Sequence, residues 1–344
     1  MGAVSAYIAR RALMTVVTYI VIISIYFIVV RVIPVMLAGG NPEADPVIAA
    51  LRRTQEDPRF SNWIDYTIKR FGLDKPLIPD QYLIYLKNTL TFEFGVSIYT
   101  QKPVISEILN RLPYTLVLYT GAMILPIIVG YYTGLATIKH RGGKLDALIT
   151  SIGIISYIVP SWLILLLIYY FLAYIPKIYW GTPIFPLPVK APSIKEVNWE
   201  TIKYLLWYIA PLLTAAVLAW FGSWTYFFRQ IAMSELGRDY VYTARAKGLS
   251  EMMVIKRHIL PNLKPPIIMR LAFWLPGIFG GALIFEIISN WPGIAYFSYS
   301  AFLNFDYPVM TAFFAISSLL LLLSIFIADV LIAIIDPRVA LQQR

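Results

Sequence analysis

Long stretches without Asp, Glu, Lys or Arg recur along this sequence. A helix needs about 20 consecutive apolar residues to cross a lipid bilayer. Five of the uncharged stretches interpreted as spans hold 19 to 30 residues each. Only 14% of the 344 residues are charged and 59% are hydrophobic, whereas about 25% of the residues of a soluble domain are charged. The chain is therefore predicted to be an all-α polytopic membrane protein.

We predict six transmembrane helices. The first lies between Arg11 and Arg31. Its uncharged run is longer than the roughly 7–15 apolar residues of a cleaved secretory signal, so it is interpreted as a retained signal anchor. The fifth helix must contain charge, because only 15 residues separate Arg270 from Glu286. The five helices after the first are predicted at 113–138, 147–175, 204–228, 266–289 and 309–335.

This pattern predicts three parts: an N-terminus with the first helix (1–34), a sizeable extracytoplasmic cap segment (35–112) and a five-helix core (113–344). Within the cap, residues 80–94 are predicted to form a short amphipathic element with Tyr82, Tyr85 and Leu86 on one side. The tryptophans Trp180 and Trp199 near the ends of the next outer loop are interpreted as anchors at the membrane interface.

Basic residues indicate the orientation of the chain, because cytoplasmic loops carry an excess of Lys and Arg. With a cytoplasmic N-terminus, the inner segments hold 14 Lys or Arg in 64 residues, whereas the two shorter outer loops hold 4 in 47. The longer segment 35–112 exceeds the length over which this rule applies. Both termini are therefore predicted to be cytoplasmic, in a multi-pass protein of the cell membrane.

Composition also excludes several classes of site. The chain has no cysteine, so it has no disulfide, thiolate metal site or cysteine nucleophile. The only histidines, His140 and His258, lie in basic segments between helices, which argues against a zinc or haem site. The formal net charge of +10 is more typical of membrane orientation than of nucleic-acid binding. No metal or cofactor is expected on this chain.

The segment 229–264 has the pattern of a helix-turn-helix on the cytoplasmic side. Helix-favouring residues run from Ser234 to Lys247, Gly248 breaks them, and Ser250 is placed to cap a second helix over 251–259 that Pro261 ends. The predicted apolar contacts are Val241, Ala244, Met252, Met253 and Ile255. The pattern alone fits either an interfacial helix on anionic lipid or a docking element for a protein partner.

The run from Tyr240 to Ser250, YVYTARAKGLS, followed by Pro261, resembles the coupling-helix motif of binding-protein-dependent ABC permeases of the dipeptide/oligopeptide/nickel subfamily. Further matches are FGLDKP at 71–76, RLP at 111–113, WPG at 291–293 and DYPV at 306–309, so the resemblance covers most of the chain. The usual Pro-Gly-Asp-Pro turn after the first helix is here Gly-Gly-Asn-Pro at 39–42.

The resemblance implies the fold of an ABC type I importer permease. It implies a second, homologous permease subunit, two ABC ATPase subunits, an extracytoplasmic solute-binding protein and surrounding membrane lipid, with no nucleic acid. The only Gly-Lys pair, Gly143-Lys144, lacks the remainder of a P-loop. ATP and Mg are therefore expected on the partner subunits, and this chain is expected not to be an enzyme.

The residues implied to couple it to the ATPases are Tyr242, Thr243, Ala244, Arg245, Ala246, Lys247, Gly248 and Pro261. In this interpretation Ala244, Ala246 and Gly248 allow close approach, while Arg245 and Lys247 pair with the ATPase.

Charges within apolar runs are candidates for function, because they are costly in a membrane. Arg31 is interpreted as reaching the interface along its own helix. Arg270 is a candidate partner for Asp329 or for the interface. Glu286 is placed either to gate the outer mouth or only to bond to the following loop. The outer candidates together are Glu286, Trp291, Pro292, Gly293 and Asp306.

Two other classes were compared with this interpretation. A secondary transporter would have more helices, inverted repeats and acids at the membrane midplane, whereas this sequence has six predicted spans, no evident internal repeat and few midplane charges. A membrane enzyme would need a catalytic motif, and neither His-Glu-x-x-His nor Gly-x-Ser-x-Gly is present. Short peptides are the expected cargo, with oligosaccharides or nickel as the alternatives.

Overall fold

The computed structural model describes residues 2–54, 61–187, 198–274 and 283–335, and nearly all of them are helical. The one β-type contact among the described residues is an isolated bridge between Val96 and Pro103. The chain divides into two compact units. The first unit comprises 1–113, 275–281 and 293–344, and the second comprises 114–274 and 282–292.

Five helical segments among the described residues are long and apolar enough to span a membrane. They are Ser5–Leu37, Val104–Lys139, Ser161–Trp180, Trp199–Leu236 and Tyr307–Ile334. The predicted fifth helix, 266–289, includes residues 275–282, which lie outside the described residues. The count of six spans and the placement of 35–112 outside the membrane therefore stay predictions.

The first unit is built around the first and last helices of the chain. Tyr26 of the first stacks on Phe314 of the last, with ring centroids 4.3 Å apart. The predicted amphipathic element is confirmed as a helix, since Tyr85 is buried and Tyr82 and Leu86 pack against the same core. The helices of this unit are α1 (Gly2–Phe27), α2 (Ile33–Leu37), α3 (Pro46–Thr54), α4 (Ser61–Phe71), α5 (Tyr82–Leu90), the first turns of α6 (Val104–Lys139), α15 (Ile294–Leu303) and α16 (Tyr307–Ile335).

The interpretation of Arg31 as a side chain reaching the interface is wrong. Arg31 lies in a π-helical turn, Ile28–Val32, and only 1% of it is exposed. Its Nε and Nη2 donate to Asp45 Oδ2 at 2.9 and 2.6 Å, and Nη2 also donates to Gln81 Oε1 at 2.5 Å. Asp45 Oδ1 in turn accepts a hydrogen bond from the Val47 amide. The charge is held by a buried carboxylate instead of by water, because the segment after the helix folds back over it.

The second unit consists of α7 (Lys144–Ile158), α8 (Ser161–Ile168), α9 (Ile175–Trp180), α10 (Trp199–Leu236), α11 (Asp239–Ala246), α12 (Glu251–Val254), α13 (Lys264–Trp274), α14 (Leu283–Ser289) and the rest of α6. Helices α7 and α10 approach so closely that a Cβ on Gly222 would overlap the carbonyl oxygen of Gly153. Backbone contact of this kind is possible only between residues without side chains.

The predicted third helix, 147–175, is not continuous. Helix α7 ends at Ile158, Val159 is extended (φ −69°, ψ 126°), and α8 begins at Ser161 after Pro160. Proline lacks an amide hydrogen and disfavours helical geometry in the residue before it, so the chain breaks here. The apolar segment long enough to span runs from Ser161 to Trp180 instead.

Candidate functional site

The predicted helix-turn-helix forms, with shifted ends. Helix α10 continues to Leu236, so the first helix of the motif is only α11, and α12 continues through a π-helical turn, Ile255–Ile259. Ser250 occupies the cap position of α12, but its side chain makes no capping hydrogen bond. Pro261 lies in a short 3₁₀ turn, Leu260–Leu263, and the chain continues into α13 instead of ending.

The apolar side of this motif packs into its own unit. Val241, Ala244 and Ile255 are buried, as predicted, whereas Met252 and Met253 are exposed. Val254 and Ile259 fill the core positions that the two methionines were expected to occupy. Ala244 is only 3% exposed, so it serves packing inside the chain and offers no surface for a partner.

The remaining residues of the predicted coupling set form one exposed surface. We call this the α11 surface, and it consists of Tyr242, Thr243, Arg245, Ala246, Lys247 and Gly248. Tyr242 is 60% exposed. Pro261 is also exposed.

Arg245 has a partner within its own chain that the sequence analysis did not identify. Its Nε and Nη2 donate to the two carboxylate oxygens of Glu251 at 2.7 and 3.1 Å. The hydrogen bond from the guanidinium to Glu251 raises the pKa of Arg245 above its usual value. The pair joins α11 to α12 across the turn.

Gly248 makes that turn possible. Its φ is +77°, a left-handed conformation that favours glycine, and its amide donates to Arg245 O at 2.9 Å. A Cβ at this position would meet nothing within 4 Å. The requirement for glycine is therefore conformational, because nothing in the chain fills the space beside it.

The predicted outer candidates fall into two buried clusters, one in each unit. In the second unit, Trp291 Nε1 donates to Tyr114 O at 3.0 Å, and Tyr208 stacks on the Trp291 ring. Glu286 is fully buried, accepts a hydrogen bond from Thr115 Oγ1 at 3.3 Å, and its carbonyl accepts from the Trp291 amide. The carboxylate of Glu286 thus bonds to α6, and its backbone carbonyl bonds to the following loop, so both predicted roles of this side chain stay predictions. Pro292 is the last residue of the second unit along the chain.

The other cluster surrounds Asp306 in the first unit, where Gly293 precedes α15. Asp306 is fully buried, and its Oδ2 accepts from Ser97 Oγ at 2.6 Å and from the Tyr99 amide at 3.2 Å. Burial raises the pKa of this carboxyl above its usual value. The contact of Ser97 with a residue 209 positions later has no signal in a single sequence.

Arg270 has a different environment from the one predicted. Asp329 pairs with Arg11, with Nη1 and Oδ2 3.3 Å apart. The guanidinium of Arg270 lies 4.3 Å from the ring centroids of both Trp224 and Phe227, and its Nη2 donates to Ser223 Oγ at 2.7 Å. This arginine also lines a cavity of about 380 Å³. Sequence reasoning singled out the charge but not its aromatic support.

The described residues hold no group of three or more His, Asp or Glu side chains that could bind a metal ion. The features that remain are therefore a membrane-spanning helical scaffold, an exposed α11 surface and a cavity beside Arg270.

Comparison with known proteins connects these features. Residues 115–341 match the family described as the binding-protein-dependent transport system inner membrane component. The chain is 30% identical over 336 residues to the dipeptide transport system permease protein of Lactococcus lactis subsp. cremoris, covering 97% of this chain and 99% of the relative. It is 31% identical over 341 residues to the oligopeptide transport system permease protein of Bacillus subtilis, with the same coverage.

The glutathione transport system permease protein of Escherichia coli is 29% identical over 339 residues, covering 97% of this chain and 98% of the relative. These matches extend over almost the entire sequence, including the α11 surface and the spans on either side of it. The chain therefore belongs to the family of binding-protein-dependent transport system inner membrane components, as a multi-pass permease of the peptide/nickel subfamily of ABC transporters.

Proposed function

We propose that this chain is one of two permease subunits of an ATP-driven importer that takes short peptides from an external solute-binding protein. The observation that carries the proposal is the near full-length similarity to permeases named for dipeptide, oligopeptide and glutathione transport. The partners would be a second, homologous permease subunit, two ABC ATPase subunits and the binding protein. ATP and Mg would be bound by the ATPase subunits, which hydrolyse the nucleotide, so this chain would not itself be an enzyme.

The α11 surface is the proposed contact for an ATPase subunit. It is exposed, it carries the positive charge of Lys247, and the Arg245–Glu251 pair holds its two helices together. A rigid surface of this kind would pass ATP-driven closure of the partners to the membrane helices as a rigid-body movement. This role requires the α11 surface and both termini to be cytoplasmic.

The orientation can be tested directly, because the chain has no native cysteine. Single cysteines replacing Lys144 or Lys247 should be protected from an impermeant thiol reagent added to intact cells, and a cysteine replacing Asp65 should react. Permeabilised cells provide the control. Reaction of the Lys247→Cys variant in intact cells would contradict the proposed orientation.

The cargo is tested with the solute-binding protein proposed to serve this importer. A ligand that binds only the folded state raises its apparent stability. Di- to octapeptides should raise the melting temperature of that protein and should be imported by proteoliposomes containing the whole complex. Stabilisation by cello- or xylo-oligosaccharides, with no effect of any peptide, would contradict peptide import and leave the permease role intact.

Coupling is tested at Gly248. A left-handed conformation costs a β-branched residue about 1–2 kcal/mol, whereas Asn adopts it more readily. Gly248→Val should therefore reduce import and its dependence on ATP far more than Gly248→Asn, while the complex still assembles. Import by the Val variant at the wild-type rate would show that this turn does not couple the chain to ATP hydrolysis.

A further inference from the structure

The cavity beside Arg270 lies within the second unit, between α7, α10 and α13. Its volume of about 380 Å³ falls in the range of small-molecule sites, roughly 300–1,000 Å³. Its lining combines aromatic and aliphatic surface with several groups that form hydrogen bonds. The polar residues that line it are Thr150, Tyr157, Ser223, Thr225, Tyr226, Arg229, Gln230 and Arg270.

The two arginines of this cavity differ in whether a carboxylate already accepts hydrogen bonds from their guanidinium groups. Arg229 donates from Nε and Nη2 to Asp146 at 3.1 Å each, so a carboxylate already compensates its charge. Arg270 donates only from Nη2, to the hydroxyl and the carbonyl of Ser223. Within the ranges that the structure describes, no Asp or Glu forms an ion pair with Arg270, and its Nε and Nη1 have no acceptor.

Two aromatic rings hold the guanidinium of Arg270 in place without neutralising its positive charge. Trp224 and Phe227 each lie 4.3 Å from the guanidinium carbon, so the cation contacts two rings. A positive charge in an apolar segment is costly, and such charges commonly mark the path or site of a ligand. The planar guanidinium matches a carboxylate in a way that a lysine ammonium does not.

Two kinds of ligand could bring an oxyanion to this arginine: a peptide through its carboxylate and a phospholipid through its phosphate. The lining favours the peptide. Its backbone amides would need both donors and acceptors, and Thr150, Tyr157 and Gln230 supply them.

We propose that this cavity binds the carboxyl-terminal end of a peptide in transit, with Arg270 receiving the α-carboxylate. The inference rests on the proposed peptide import and adds to it a recognition site within the permease. It implies that the permease itself distinguishes a free carboxyl terminus from a blocked one, in addition to any choice made by the binding protein.

The first experiment compares import of a peptide and of its carboxyl-terminal amide by the complete complex in proteoliposomes, always with the same binding protein. The preference of the binding protein is then common to all variants and cancels when their acid-to-amide ratios are compared. Arg270→Gln should lower the ratio by roughly tenfold, as expected for loss of a charged hydrogen bond. Arg270→Lys should lower it less.

Arg141→Gln is the matched control, because Arg141 is exposed and lies outside the cavity. It should leave the ratio unchanged. Peptide import by the wild type with the same ratio in Arg270→Gln would overturn the inference and leave the proposed function standing. Failure of the wild type to import any peptide would instead overturn the proposed function.

A second measurement does not require the variant to transport. In a Tyr157→Cys complex, reaction of the new thiol with a maleimide should be slowed by free-acid peptides and not by their amides. Equal protection by both, no protection, or a thiol that never reacts would contradict the site. Nanodiscs of phosphatidylcholine with and without phosphatidylglycerol give the lipid comparison. Protection by phosphatidylglycerol without protection by peptide would assign the cavity to lipid and overturn the proposal.

Discussion

Arg31 and Arg270 have the same chemistry and the same sequence signal, yet the structure gives them opposite environments. Each is a lone positive charge at or near an apolar run. Arg31 in the first unit is almost fully buried, with a carboxylate and an amide oxygen on its guanidinium. Arg270 in the second unit lies on two aromatic rings beside a cavity. The partner, and not the charge, therefore separates a structural arginine from one available to a ligand.

The two arginines also differ in how much the stability of the fold depends on them. A buried ion pair adds little net stability over an apolar pair, but removing one member leaves an uncompensated charge. Arg31 and Asp45 therefore depend on each other. Arg270 has no such dependence within the described residues, so its replacement should change ligand handling more than folding. The four predictions that follow test this division, beginning with the largest effect.

Replacing Arg31 by Met should give the largest loss of stability. Asp45 would remain buried without its cation, and breaking such a pair costs about 3–5 kcal/mol. We expect a large drop in the unfolding midpoint of the purified protein in detergent. Arg31→Met combined with Asp45→Asn should recover part of the loss, since the second change removes the orphaned charge and keeps a side-chain oxygen for the Val47 amide. Arg270→Gln is the matched comparison, and a loss as large as that of Arg31→Met would abolish the distinction between the two arginines.

Gly222 lines the cavity at the close contact between α7 and α10. Its added Cβ would overlap the Gly153 carbonyl and the Ser156 hydroxyl, so Gly222→Ala should force α7 and α10 apart and cost about 1–3 kcal/mol. Gly237→Ala is the control, because a Cβ there meets nothing within 4 Å. The two variants are compared by thermal unfolding. Equal stability of both would mean that the two helices are not held by this contact.

An intermediate loss of stability is expected on replacing Asp146. Its partner Arg229 lines the same cavity as Arg270. Hydrogen bonds from Arg229, and then from the Gly142 amide, hold the pKa of Asp146 below its usual value. A carboxyl whose pKa is lower in the folded state stabilises the fold above its unfolded pKa of about 3.9, and this contribution disappears as pH falls through the folded value.

Asp146→Asn should therefore cost about 1–2 kcal/mol at pH 7. Below about pH 4 the difference from the wild type should shrink. Unfolding midpoints measured across this pH range give the test. A difference that stays constant down to pH 2 would show that the ionised form of Asp146 is not what stabilises the fold.

The smallest effect is expected at the Arg245–Glu251 pair. Both side chains are largely open to water, and exposed ion pairs contribute roughly 0.2–1 kcal/mol. Glu251→Gln should change the unfolding midpoint only slightly, and high salt should reduce even that change. A salt-independent loss of several kcal/mol would place this pair with Arg31 among the buried, structural charges.

The helical membrane fold could be predicted from the sequence because hydrophobic runs are a local property. The turn at Gly248 could also be predicted, since a glycine between two helix-favouring runs is a local signal. The break of the third helix was not predicted, although Pro160 was visible, because hydropathy does not register geometry. Arg31 was misinterpreted for a different reason. Its partner Asp45 lies in another segment, and no periodicity shows how that segment folds back.

The π-helical turn at Ile28–Val32 has a consequence for how this helix can change over generations. One extra residue in an ordinary α-helix rotates everything after it by about 100°. A π-helical turn absorbs the extra residue locally, so the faces before and after it stay in phase. Deletion of one residue within Ile28–Val32 would therefore convert the turn to ordinary α-helix. The apolar face that contains Ile23 and Phe27 would stay in phase with the residues after the turn, but the turn that presents Arg31 would be lost. The packing face and the charged contact of this helix can thus be gained or lost independently of each other.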